Sequence, residues 1–211
     1  MKAVSATIAL GSACLLAFAN EGMVGIDSAV IHQYSYADFL IGIVPGHSGS
    51  PPMGGFRLDA SVECLNALLW GSYGFYAYTS DPIFGQQMEL ASVGAGYVFR
   101  FATNRVNLVP RLAGGYLRVT GATDLFETMA TTLSRTTYIE PSLFCSYAFN
   151  NRFSLGAGYA LAVSVSPSHC VSQFSVGMDV RILKHWGARF EGTIATNPDY
   201  NGIFAGITGH F

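Results

Sequence analysis

Eight ionisable residues fall on one face of short alternating segments: Arg57, Asp59, Glu63, Arg111, Glu140, Asp179, Arg189 and Glu191. Guanidinium and carboxylate groups gathered on one face can neutralise one another, hold water, or line a polar route for small solutes. The segment around Arg57 sets the pattern, with Phe56, Leu58, Ala60 and Val62 opposing Arg57, Asp59, Ser61 and Glu63. A three-residue turn before Trp186 would set Asp179 directly across from Arg189, an opposite-charge cross-strand pair. Catalytic chemistry is poorly represented. The histidines at positions 32, 47, 169, 185 and 210 lack metal-ligand spacing, and no CxxC or HExxH occurs. His169 beside Ser166 and Ser168, with Asp81 or Asp199 on neighbouring loops, is the one nucleophile–base constellation available, and such residues are common in loops. The expectation is therefore a protein that is not an enzyme and has no metal and no cofactor.

The elements that carry these residues are strands. Ser172, Phe174, Val176, Met178, Val180 and Ile182 alternate with Gln173, Ser175, Gly177, Asp179 and Arg181. Trp186, Ala188, Phe190, Gly192 and Ile194 alternate with Gly187, Arg189, Glu191 and Thr193, and Ile203, Ala205, Ile207 and Phe211 with Gly206, Thr208 and His210. Side chains point to opposite faces with period two, so each segment has one greasy and one small or polar face. A soluble sandwich alternates too, and composition separates the two. The 211 residues are 50% hydrophobic and only 11% charged, with 24 glycines, against roughly a quarter charged in ordinary soluble domains. Mean hydropathy is +0.35, yet past the first twenty residues no run approaches the roughly 18 apolar residues of a membrane helix. A transmembrane β-barrel spreads its lipid face over alternate positions and accounts for this. The net charge of −2 without a basic cluster does not point to nucleic acid as a partner.

Lys2, the apolar stretch Ala3 to Phe18, and Ala17-Phe18-Ala19 form a signal-peptide pattern. Residues 1–19 are expected to be removed on export, leaving 20–211 as the barrel, with 20–37 a possible periplasmic lead-in. Of the mature cysteines, Cys64 and Cys145 fall on greasy faces as small apolar fillers, and Cys170 lies at a loop edge.

Along the chain, Phe39 to Val44 is a compact first strand, and Phe56 to Cys64 alternates clearly before the pattern blurs. There Asp59 to Gly71 could instead form a capped helix. Tyr73 to Thr79, Glu89 to Phe101, and Val106 to Tyr116 follow as strands, with a local bulge expected at Pro110. Thr120 to Arg135 reads as a loop. Tyr138 to Phe149 and Phe153 to Val165 form a hairpin about Asn150-Asn151, leading to the three C-terminal strands. Tight links near Ala102–Arg105, Asn150–Arg152 and Leu183–His185 alternate with longer ones, the rhythm of short periplasmic turns and long extracellular loops. The predicted fold is an all-β, antiparallel up-and-down transmembrane barrel, ten strands preferred and eight the alternative.

Gly94-Ala95-Gly96-Tyr97, Ala113-Gly114-Gly115-Tyr116 and Gly156-Ala157-Gly158-Tyr159 resemble strands of small bacterial outer-membrane β-barrels of the OmpA, OmpX and OmpW type. The resemblance covers Tyr73 to Phe211 at the level of class. The terminal Phe211 resembles the aromatic residue such proteins present to the barrel-assembly machinery, although Gly209 stands where that signal has a second aromatic. The resemblance implies an outer-membrane location, contact with outer-membrane lipid and the assembly machinery, and a monomer. On function the sequence leaves two readings. Buried charges must be paired or hydrated, and the preferred reading is that the eight inward residues line a narrow porin-like channel or transporter for small solutes, polar or hydrophobic. The alternative is a plugged lumen, in a barrel that conducts nothing and displays loops for adhesion or to a host ligand.

Overall fold

In a computed structural model the described residues are 34–45, 52–78, 87–101, 105–122, 131–164, 170–196 and 201–211. All regular structure among them is strand: β1 (Tyr36–Val44), β2 (Met53–Cys64), β3 (Ala67–Tyr78), β4 (Gln87–Tyr97), β5 (Phe99–Phe101), β6 (Val106–Ala122), β7 (Thr131–Ala148), β8 (Phe153–Ser164), β9 (Cys170–Arg181), β10 (Trp186–Ala195) and β11 (Gly202–His210). Every neighbour is antiparallel, β1 pairs with β11, and both β4 and β5 pair with β6, so the sheet closes on itself. β4 and β5 form one stave, which makes a ten-stave up-and-down barrel. Closure leaves no sheet edge along the wall, the condition for backbone to cross lipid.

The outer surface is apolar. Phe39, Ile41, Ile43, Val93, Leu112, Ile139, Leu143, Phe174, Val176, Phe190, Ile194, Ile203 and Ile207 are all exposed, Ile203 to 70%. Exposed aromatics gather where the turns are short: Tyr97, Phe99, Phe101, Tyr147, Phe149, Trp186 and Phe211. Such a greasy band with an aromatic girdle is a lipid-facing surface. Cys64, Cys145 and Cys170 are exposed free thiols.

Several sequence expectations need correction. Residues 59–71 are not a helix: β2 and β3 form a hairpin around Leu65 and Asn66, with φ of 51° and 68°. Two consecutive positive φ values suit the right-handed strand twist, and without a glycine the turn gave no sequence signal. The 120–135 segment is strand at both ends, because β6 and β7 pair out to Ala122↔Thr131; residues 123–130, between them, lie outside the described residues. Pro110 produces no bulge. Gly96↔Arg111 and Phe99↔Leu108 share one register, and pairing merely lapses between them, where proline offers no N–H. Val98 donates instead to the Asn66 carbonyl at 2.8 Å. Residues 36–37 belong to β1 rather than to a lead-in. The expected signal segment 1–19, residues 20–33, and the Ser166, Ser168, His169, Asp81 and Asp199 constellation lie outside the described residues, as do His32 and His47.

Inward aromatic rings rest on glycines of the next strand. Phe204 is opposite Gly42, Tyr76 opposite Gly55, Tyr138 opposite Gly115, and Phe144 opposite Gly158. A Cβ at Gly42 would overlap the Phe204 ring, and one at Gly115 would lie 2.6 Å from Tyr138. The glycine-rich motifs therefore make room for rings folded flat against the inner wall, which narrows the lumen.

Candidate functional site: the barrel interior

Three layers fill the interior. At the end of the long connections, Leu40, Val44, Met53, Tyr76, Met88 and Phe204 form a buried apolar cluster, joined by Leu90, Leu117 and Val119. At the short-turn end Tyr34, Leu68, Val98 and Val109 form another, joined by Trp70 and Phe144. Between and beside them run the ionised residues.

The waist carries a continuous ionic chain. Arg57 Nε donates to Asp59 Oδ2 at 2.7 Å, while Nη1 and Nη2 grip Glu191 at 3.0 and 2.7 Å. Glu191 also lies 3.5 Å from Arg189 Nη2, and Arg189 Nη1 donates to Asp38 Oδ2 at 2.7 Å. Asp59–Arg57–Glu191–Arg189–Asp38 thus ties three staves, β2, β1 and β10, reaching over β11 across the closure seam. The forked guanidinium suits this bidentate grip. Arg57 also stacks on Phe204 (4.8 Å to the ring centre) and Arg189 on Tyr36 (5.3 Å), which joins the ionic layer to the apolar one.

Arg189 does lie across from Asp179 in register. Its ionic partner is nevertheless Asp38, because Gly206 is its neighbour on β11 and leaves the guanidinium room to reach β1. Asp179 instead lies 3.5 Å from His210 Nε2. Glu63 pairs with Arg100 at 2.5 Å near the short-turn end, and Arg100 also bonds the Asn66 side chain at the β2–β3 turn. Arg111 and Glu140 stand apart. Arg111 lies over Phe144 at 5.0 Å and Trp70 at 5.9 Å, and its Nε has no hydrogen-bond partner among the described residues.

Arg57, Asp59, Arg111, Glu140, Arg189 and Glu191 line a cavity of about 230 Å³, walled also by Tyr36, Tyr138 and Gln173. Sites for drug-sized ligands run to about 300–1,000 Å³, so this space suits water or a small ion. Alternation already sets Arg100 and His210 on the small or polar face, outside the eight residues first singled out, and both pair inside the barrel. Asp38 is the inward ionisable residue that sequence reasoning missed, because it sits at the start of β1, where alternation is hard to see. Phe211 lies just past β11, half exposed, its N–H 3.2 Å from the Ser35 carbonyl.

No protein family and no curated protein matches this sequence. Among solved structures the chain is similar to the KdgM porin, with 14% identity over 83% of this chain and 99% of that one and a TM-score of 0.45. It is similar to Neisserial surface protein A, with 14% identity over 83% and 95% and a TM-score of 0.44. It is also similar to the translocator domain of autotransporter NalP from Neisseria meningitidis, with 12% identity over 100% and 98% and a TM-score of 0.48.

Proposed function

We propose that this protein is a bacterial outer-membrane barrel whose body is a filled scaffold and whose working surface lies at the end of the long connections. The observation that carries this reading is the stack of two apolar clusters and an ionic chain inside a narrow wall. A narrow barrel has little free section once side chains fill it. The β6–β7 hairpin supports display. Its strands are paired to Ala122↔Thr131, whereas β7 loses β8 beyond Tyr138↔Ser164 and β6 loses β4 beyond Gln87↔Thr120. Residues 121–122 and 131–132 therefore carry the hairpin past both of its neighbours, by roughly 7 Å at about 3.3 Å per residue. A partner outside the cell, a protein or glycan of the host surface, would meet this hairpin first. Short turns face the periplasm on this reading, and Phe211 serves assembly there.

A second reading, a narrow pathway for small solutes, draws on Arg111 and Glu140, which line the cavity outside the ionic chain. Planar-bilayer recording separates the two. The scaffold reading expects no unitary conductance from the refolded barrel, and deletion of residues 121–132 should abolish cell or matrix binding without unfolding it. Steady channels that change selectivity in Arg111→Gln would establish the pathway instead.

A further inference from the structure

The outer wall carries one charged row, unlike the rest of its surface. Register places Glu89 beside Arg118, and Arg118 beside Arg135. By alternation all three face outward, on the parity of exposed Val93, Leu112 and Ile139. One step below lie Tyr73 and Tyr116, flanking Ala91. Both phenols donate to Glu89 Oε1, at 3.2 and 2.9 Å, and Glu89 Oε2 lies 3.6 Å from Arg118 Nη1. One carboxylate is thus shared by two tyrosines and one arginine. Arg135 is exposed and has no ion-pair partner among the described residues, and Arg118 Nε is buried without a hydrogen-bond partner. Two arginines directly opposite each other repel, so among the described residues the row holds one surplus positive charge.

Its height identifies the anion it can meet. Glu89 and Phe101 belong to one stave, and Phe101 sits in the aromatic girdle of the short-turn end. Twelve residues at about 3.3 Å each, tilted by about 40°, climb roughly 30 Å. The apolar band of such barrels is about 25 Å tall. The row therefore stands just above the hydrocarbon, at headgroup level. Arginine there is tolerated, whereas at the midplane it is strongly destabilising. Guanidinium forks match phosphate oxygens.

We infer that Arg118 and Arg135, flanked by Tyr73 and Tyr116, bind the phosphate of an anionic lipid headgroup in the leaflet on the long-connection side. Glu89 orients the tyrosines and Arg118 without neutralising both arginines. The test uses the full barrel in nanodiscs of phosphatidylcholine doped with phosphatidic acid, a monoester phosphate probe, with retained lipid counted by native mass spectrometry. Wild type should retain phosphatidic acid, and R118Q/R135Q should lose at least tenfold in retention. R105Q/R152Q removes the same charge from exposed positions at the other end and should behave as wild type. Millimolar inorganic phosphate should not displace the lipid. Undiminished retention in R118Q/R135Q overturns the inference, and so does an equal loss in both double variants, or displacement by inorganic phosphate. Heat-modifiable migration checks folding. Should R118Q/R135Q fail to fold, R118K/R135K keeps the charge without the fork and should lose several-fold, with no change overturning the site.

Discussion

Inside the barrel, Arg57 and Arg189 face three carboxylates, Asp38, Asp59 and Glu191. Outside it, Arg118 and Arg135 stand opposite each other with one carboxylate, Glu89, on Arg118 alone. The inner chain has no bulk water to fall back on, so its cations are gripped from several sides and anions exceed cations. The outer row borders water and headgroups, so an unmatched cation survives there and can be matched by something else. The same side chains thus serve cohesion in one place and an affinity for the surroundings in the other. Ionic strength distinguishes the two directly, since salt screens exposed pairs far more than buried ones.

The harshest test of the comparison is Arg57→Met. Removing one partner of a buried network strands Asp59 and leaves Glu191 with only Arg189, at a cost of about 3–5 kcal/mol. Urea unfolding in lipid vesicles should show this, and a loss below about 1 kcal/mol would mean the interior is wetter than its packing implies. Next is the choice of partner for Arg189. Asp38→Asn should cost about 1.5–3 kcal/mol, as for hydrogen bonds to charged groups, and Asp179→Asn under about 1 kcal/mol. The reverse order would restore the direct cross-strand pair. Glycines sharpen the contrast between faces. Gly42→Val drives a branched side chain into Phe204 and should destabilise by about 1–3 kcal/mol. Gly192→Val, facing outward with nothing within 4 Å, should be neutral or stabilising by under about 1 kcal/mol. Smallest is Glu89→Gln, which should alter stability by no more than about 0.5 kcal/mol, an effect that fades with salt.

These contrasts mark how far the sequence could be read. The outer face was legible in Phe174, Val176, Phe190, Ile194, Ile203 and Ile207, because alternation is a local property and lipid demands it at every second position. The Asp179↔Arg189 register was legible as well, because a three-residue turn fixes it. Arg189 pairing with Asp38 was not, since that contact exists only once β1 meets β11. Nor was the inner apolar filling. Tyr76, Phe204 and Phe144 sit in strands whose inward positions otherwise read as small or polar, and only the ring-on-glycine register shows where they pack. The outer charged row was hidden for the opposite reason. Glu89 falls on the greasy parity of Ala91 and Val93, and only the register of β3 and β6 shows which side chains gather on its carboxylate.

The seam between β1 and β11 bears on how this molecule is made. Every other stave pairs with one adjacent in sequence, so zippering can proceed hairpin by hairpin with modest chain entropy to overcome. The seam joins strands more than 150 residues apart, and the Asp38–Arg189 bond spans 151 of them. Until the last strand arrives, β1 presents a bare edge and Asp38 lacks its guanidinium, both costly in an apolar medium. An open sheet is therefore poorly suited to lipid, and ring closure with insertion becomes one cooperative event. The ionic chain that crosses the seam acts as the clasp that rewards only a finished ring.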